Sequence, residues 1–449
     1  MFRDGRTRRG QEGFDFNIPE VKRYLFHTVW IVLAAVMVTC TTEQKLPVKK
    51  PNKNLSYLYI PGRTPLQPEY RIYHSTDSVS LLRVKIVPNQ LLFNQTDDKG
   101  NYISFLDVRY RLFLVKKRST ILADSGVVHY SVNPKNLKTR SIEKSILLRC
   151  RQGNRYVLEV VMIDQIRKTA VQNFLYVDKR TSFSFQNYMV VNVNTHKQLF
   201  SYALDSTFAF KIVYRDQQPH DYYVRYFFPD TVLPAPPNIN VGSPLLKRPP
   251  DSVWWVHYND REFIRLPHRG IYQFSVDSTV ADGVTLCNFG PFFPKILSPQ
   301  QMAEPLAYLL TKNEMRRLMS RPNLKLAVDE FWLGTTDDVE QARQLVRIYY
   351  NRVYYANIFF STWKEGWRTD RGMIYIIYGP PDNLTKSVKR EVWSYGKDND
   401  PGKISFTFVR VDSPFSNKVY RLSRGETLVT RWVEATRTWR QGNIFSVGY

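Results

Sequence analysis

Between residues 70 and 180 the apolar positions either alternate with polar ones or run unbroken for five to ten residues. LLRVKIV, ISFLDVRYRLFLV, GVVHYSV, SILLRC and RYVLEVVMID are of this kind, separated by turns rich in Asn, Asp, Gly and Lys. Strand side chains point alternately to opposite faces, so this spacing predicts an antiparallel sandwich over 67–180, of the immunoglobulin or fibronectin type. No Cys–Trp–Cys spacing accompanies it, so the prediction is of shape only. YVLEVVMID and AVQNFLYVD read as its last two strands, with Asp164 leading the turn between them. A second strand-rich region follows over 181–295, with SFSFQNYMVVNV, STFAFKIVY, DYYVRYFF, SVWWVHY, IYQFSVD and GVTLCNF. Inside it lies a long proline-rich loop, FFPDTVLPAPPNINVGSPLLKRPPDS, of the sort that carries contacts.

From residue 296 the period changes. SPQQMAEPLAYLLTKNEMRRLMS predicts a helix capped by Ser298 and broken early by Pro305. In TTDDVEQARQLVRIYYNRVYYANIFFSTW, residues Val339, Ala342, Leu345, Val346, Tyr349, Tyr350, Val353, Ala356 and Phe360 recur at helical spacing. A Thr-Asp start supplies the cap of this long amphipathic helix. MIYIIYG then reads as a buried strand and GPPDN as a tight turn; EVWSYG, ISFTFVRV and VYRLS add strands, and TLVTRWVEATRTWRQGN closes as a helix. The chain of 449 residues is thus multidomain: two all-β immunoglobulin/fibronectin-like sandwich domains, then an α+β domain over 296–449.

The N-terminus changes the picture. Lys22 and Arg23 precede the apolar run Val29 to Val38, which ends at Thr39-Cys40. Ten apolar residues are too few to span a bilayer, which takes about 20. A basic flank, a short apolar stretch and then cysteine predict a lipoprotein-type signal peptide within 1–39 and lipidation of Cys40. An ordinary signal peptide and a short anchor are the alternatives, because Thr39 is an imperfect small residue. Residues 1–20 do not look like a signal, and a start near Val21 would give a conventional one. Residues 40–66 are polar, basic and proline-bearing, which predicts a flexible tether.

The formal net charge is +24. Residues 1–39 hold six basic and four acidic side chains, so the basic excess survives their removal almost intact. In an exported protein that excess meets an anionic envelope surface or envelope proteins rather than nucleic acid; a diffuse solvated charge is the plainer alternative. Cys150 and Cys287 fall in strands of different domains, which favours two buried free thiols over a disulfide between them, the alternative. No metal spacing and no cofactor motif is present.

The densest stretch in chemistry is GWRTDRGMIYIIYGPPD, from Gly366 to Asp382. Gly366, Gly372 and Gly379 permit close backbone approach or positive φ. Trp367 would bury its ring, the Asp370 carboxylate would accept backbone N–H bonds and cap a turn, and Arg371 would fork onto carbonyls or a second carboxylate. Tyr375 lies in the apolar run; Pro380 and Pro381 end it, and Asp382 can form an Asx turn. Each residue has a sufficient structural role. A hydrolase would need Asp370 and Asp382 as paired carboxylates, or a base beside Asp370, and all seven histidines lie far upstream. No phosphate-binding glycine pattern is present. A separate binding expectation attaches to Trp254 and Trp255, which with nearby tyrosines could form a glycan platform. Paired aromatics in a strand more often place one ring in the core and one at the surface.

Gly366-Trp367-Arg368-Thr369-Asp370, followed by Arg371-Gly372 and Tyr375 to Asp382, resembles the signature of the GWxTD domain, a family of largely Bacteroidetes envelope proteins. Glu304 to Glu314, Asp329 to Trp332 and Tyr349 to Asn357 resemble further family segments. The resemblance covers 296–449 closely and the region before it more loosely. It implies a lipoprotein, in keeping with Cys40, and a signature that is structural or interactive. Some lipoproteins of that phylum carry an acidic run after the cysteine for surface display; here only Glu43 is acidic near Cys40, which leans towards a periplasm-facing outer-membrane protein. The expected function is non-enzymatic, as scaffold or accessory subunit in outer-membrane assembly or protein secretion, with envelope protein partners. The alternatives are a glycan- or peptidoglycan-binding lipoprotein and, third, a hydrolase centred on Asp370.

Overall fold

The computed structural model describes residues 54–117, 119–133, 141–239, 249–257, 263–397 and 399–447, which belong to one compact unit. The expected signal peptide, Cys40 and the expected tether as far as residue 53 lie outside the described residues. Among the described residues, no helix is long and apolar enough to cross a membrane.

The first sandwich has two antiparallel sheets. One is β1 (Glu69–His74), β2 (Val79–Ile86) and β6 (Ile142–Arg149), in the order β1-β2-β6. The other holds β3 (Gln95–Thr96), β4 (Tyr102–Val115), β5 (Thr120–Val132), β7 (Asn154–Asp164) and β8 (Thr169–Lys179). In that sheet β4 pairs with both β5 and β7, and β8 lies on the far side of β7. Strict alternation in β2 sends Ser80, Leu82, Val84 and Ile86 inward. Leu82 and Val84 share a core with Ile146, Leu148, Leu106, Val108, Leu158 and Val160. Asp164 does lead the last turn, its Oδ1 accepting the N–H of Ile166 and of Arg167 at 2.9 Å.

The second region pairs β9 (Tyr188–Asn192) with β10 (Phe210–Tyr214). Against them packs a four-stranded sheet of β11 (Tyr222–Phe227), β12 (Ser252–Val256), β13 (Gly270–Ser275) and β14 (Val284–Asn288), ordered β12-β11-β13-β14. Its core is aromatic, with Tyr188, Phe210, Tyr222, Tyr272 and Phe274. Cys150 and Cys287 are buried and free.

The α+β part opens with α1 (Pro299–Ala303), capped by Ser298 and passing at Glu304 into a 3-10 turn that contains Pro305. Next come α2 (Lys312–Met319), α3 (Leu324–Leu333) and α4 (Val339–Phe360), the last capped by Asp338 as its sequence predicts. α4 buries Ala342, Leu345, Tyr349, Val353, Ala356 and Phe360. The following run corrects one expectation: Met373 to Tyr378 is not a strand but part of α5 (Asp370–Tyr378). Every residue of α5 is buried. A helix sunk on all sides shows no polar face, so its short apolar run cannot be told from a buried strand by period. A sheet of β15 (Asn383–Lys386), β16 (Arg390–Tyr395), β17 (Ile404–Arg410) and β18 (Tyr420–Leu422) follows in sequential order, and α6 (Val429–Arg440) closes the domain.

The tether corrects a second expectation. From Asn54 the chain is ordered into the core of this last domain, with Leu55 and Tyr59 buried among Phe360, Tyr375 and Trp393. Ser56–Tyr59 form one 3-10 turn. The Leu55 N–H donates to Leu384 O at 2.8 Å, so this strap adds to the outer edge of β15. Read as one polar, basic segment, 40–66 hides the short apolar cluster of Leu55, Tyr57, Leu58 and Tyr59, which is the part that packs here.

Candidate functional site

The signature stretch begins where α4 ends and turns back on itself. Gly366–Arg368 is a 3-10 turn and Thr369 caps α5. The Thr369 Oγ1 accepts the Gly372 N–H at 3.1 Å and donates to Gly366 O at 2.7 Å. Two glycines make the crossing possible. A Cβ on Gly366 would lie 1.9 Å from Ala356 O, and one on Gly372 would lie 2.0 Å from Gly366 O. Neither contact can relax by side-chain motion, because both obstacles are backbone. Trp367 is buried; its N–H donates to Asn357 Oδ1 at 3.2 Å, and its carbonyl accepts from Tyr308 Oη at 2.7 Å.

The C-terminal end of α5 is closed by a cation. Arg352 Nη1 donates to Ile376 O at 2.9 Å and Ile377 O at 3.1 Å, and Trp439 Nε1 also donates to Ile377 O, at 2.9 Å. A positive charge is favourable at a helix C-terminus. Burial nonetheless lowers the Arg352 pKa to about 10. Gly379 leaves the helix at φ +82, and a Cβ there would meet Arg352 Nη2 at 2.8 Å. Pro380 and Pro381 follow, and Asp382 is exposed with Oδ2 accepting the Gly396 N–H at 2.8 Å. Asp370 therefore opens a helix of nine residues and Asp382 lies beyond its other end, so the two are not a carboxylate pair.

Asp370 is buried at the first turn of α5. One oxygen pairs with Arg424 Nη2; the other accepts the Leu422 N–H at 2.8 Å and Arg424 Nη1 at 3.3 Å. Arg424 continues into the proline-rich loop, donating to Ala235 O at 3.0 Å and Pro236 O at 3.3 Å. Beside it Arg368 Nη1 donates to Thr231 O at 3.1 Å, and Lys364 Nζ pairs with Asp230 at 3.0 Å. The loop thus carries contacts, as its composition predicts, and lies across the N-terminal end of α5.

Arg371 faces the opposite way. Its Nη2 donates to Lys418 O at 2.8 Å and its Nη1 lies 3.3 Å from Glu391 Oε1, with the guanidinium over the Tyr420 ring at 4.2 Å. Lys386 Nζ reaches the same Glu391 oxygen at 3.0 Å, and Tyr59 Oη donates to the carboxylate at 3.1 Å. Burial alone would raise the Glu391 pKa, but Lys386 and Arg371 outweigh it and hold the carboxyl low. Burial, and then Glu391, push the Tyr59 phenol up to about 12. Tyr375 Oη donates to Tyr59 O at 2.9 Å and so fixes the strap from behind. Two hollows of about 470 and 240 Å³ open elsewhere, and neither is lined by any residue of 366–382. Among the described residues no cluster of three or more His, Cys, Asp or Glu could hold a metal.

Trp254 and Trp255 correct a third expectation, since neither ring enters the core: they are 38% and 46% exposed. β12 is an edge strand, and among the described strands it pairs only with β11. Adjacent strand residues point to opposite faces, and the two rings do not form one platform. Trp255 packs on Tyr223 at 5.2 Å, whereas Trp254 lies 6.3 Å from Tyr272.

Sequence reasoning missed Tyr59, Arg352, Glu391 and Arg424. Only Glu391 left a signal: period two in REVWSY puts it on the same inward face as Trp393 and Tyr395, where an acid must have a partner.

The geometry defines an α+β module closed around a buried, glycine-gripped helix with an ion pair at its N-terminal end. Residues 270–441 match the sequence model of the GWxTD domain, and the chain carries that domain. The match begins at β13, so the last two strands of the second β region fall within it. No curated protein matches the chain.

Proposed function

We propose that this chain is a lipid-anchored envelope protein, held in the outer membrane through acylated Cys40 and facing the periplasm. It acts without a catalytic centre, as a scaffold or accessory subunit in outer-membrane assembly or protein secretion. The observation carrying this reading is that the charged side chains of Arg368, Asp370 and Arg371 are engaged internally and covered. A hydrolytic role for Asp370 finds no support, because its carboxylate is closed in by Arg424 and the Leu422 N–H. Three bodies joined into one unit behind a tether suit protein contact, which is an argument from architecture. Affinity purification from detergent-extracted membranes should recover a partner in stoichiometric amount; a consistently solitary chain overturns the reading.

One observation favours a second reading as a glycan-binding lipoprotein. The Trp255 ring is half exposed beside Tyr223 on an open strand, the surface a sugar ring stacks on. Trp255→Ala should then abolish retention on peptidoglycan or a glycan array while leaving the unfolding midpoint unchanged.

A further inference from the structure

We propose that the GWxTD domain, last in the sequence, is the body nearest the membrane, with the β15 edge and its flanking basic residues turned to anionic lipid headgroups. This rests on the reading of Cys40 as the acylated residue. The order of the chain suggests the opposite arrangement, since the tether is followed directly by the first sandwich.

The reason is where the tether ends. Only residues 41–53 separate Cys40 from Asn54. Thirteen residues reach at most about 45 Å even when fully extended. Its far end is pinned not at β1 but on the last sheet. Asn54 Nδ2 donates to Asp382 O at 2.7 Å, and its Oδ1 accepts the Leu384 N–H at 3.0 Å. The Leu55 N–H then pairs with Leu384 O. The sandwich meets the strap further along, where Tyr57 Oη accepts the Gln172 N–H at 3.0 Å on β8. From there β7, β4 and β5 lie successively away, each step about 4.8 Å.

Basic side chains outnumber acidic ones on this side, where Asp382 is also exposed. The tether holds Lys45, Lys49, Lys50 and Lys53 against a single Glu43. Lys389 and Arg390 are exposed at the β15–β16 turn, and Lys397 is exposed just past β16, next to the residue that holds Asp382. Lys386 does not contribute, being turned inward to Glu391. Basic residues that close to a bilayer are drawn to anionic headgroups within a Debye length.

The test uses the full chain in vesicles of phosphatidylglycerol and phosphatidylcholine carrying headgroup spin labels. A fluorophore is placed at Thr385→Cys on β15 or at Ser125→Cys on β5. The proposal expects several-fold stronger quenching at 385 than at 125, weakened when phosphatidylglycerol is omitted or when Lys389 and Arg390 are changed to Glu. Stronger quenching at 125 overturns the orientation, and quenching at 385 that ignores both lipid and charge overturns the headgroup contact. Failure of the acylation reading is separate: mass spectrometry would find Cys40 unmodified. The same quenching comparison on chain coupled through Cys40 to a maleimide lipid would then decide the orientation alone.

Discussion

Tyr59 Oη stands 3.1 Å from both carboxylate oxygens of Glu391, a residue 332 positions later in the chain. That contact makes the strap part of the GWxTD core. Tyr59→Ala empties a cage of Phe359, Phe360 and Trp393 and should cost about 3–5 kcal/mol. Tyr59→Phe keeps the ring and should cost about 1–2 kcal/mol. Urea unfolding of the two variants checks the order, and equal losses would contradict it.

Glycine at Gly372 should behave contrary to its usual helical preference. Gly→Ala inside a helix ordinarily stabilises by up to about 1 kcal/mol. Here, and at Gly366, the added methyl strikes a carbonyl, so Gly366→Ala and Gly372→Ala should lower stability by several kcal/mol or prevent folding. Gly425→Ala is the control, its nearest neighbour being Thr427 Oγ1 at 3.8 Å; its unfolding free energy should change by about 0.5 kcal/mol at most.

The buried pair of Asp370 and Arg424 should show strong coupling. Removing either partner leaves an uncompensated charge, so Asp370→Asn and Arg424→Met should each cost about 3–5 kcal/mol. The double variant should cost far less than their sum, which a double-mutant cycle measures. Simple additivity would mean that the pair does not act as a unit.

Acid stability should report on His74. Burial drives its imidazole down to about 3. Its Nε2 donates to Asp178 O at 3.0 Å, which leaves Nδ1 to accept from Ser80 Oγ at 2.7 Å. Below pH 6.5 the unfolded chain takes up a proton that the folded chain refuses until about pH 3. Stability is therefore complete above pH 6.5 and falls through that window, by up to about 1.4 kcal/mol per pH unit. Urea unfolding of His74→Gln at pH 4.5 to 7.5 should show a shallower slope than the parent; an identical slope sinks the assignment.

Lys179 extends the same network. It is buried, with Nζ donating to Val79 O at 2.9 Å and Ser80 Oγ at 3.1 Å and lying 3.8 Å from Cys150 Sγ. Burial lowers its pKa, and no carboxylate pairs with it among the ion pairs of the described residues. Lys179→Met should thus be neutral or raise the melting temperature, since it replaces a costly buried amine with an apolar chain of similar length.

What could be read from the sequence was what repeats or alternates. β2 and β7 show their period, α4 shows its stripe and its Asp338 cap, and the GWxTD letters name the domain. α5 was misread because burial on every side erases the polar face that distinguishes a helix. Trp254 and Trp255 were misplaced because a strand's sequence does not say whether it lies at an edge. Tyr59 and Arg424 were invisible for another reason: their partners lie 332 and 54 positions away, and nothing local to either residue records them.

The strap also sets an order of events. A chain made from its N-terminus exposes Leu55 and Tyr59 long before α5, β15 and β16 exist to receive them. The earliest of these pieces must wait for almost the latest, and closing so long a loop is slow compared with local folding. Until the last hundred residues arrive, the groove that receives Leu55 and Tyr59 does not exist, and the strap is among the last pieces to find its place.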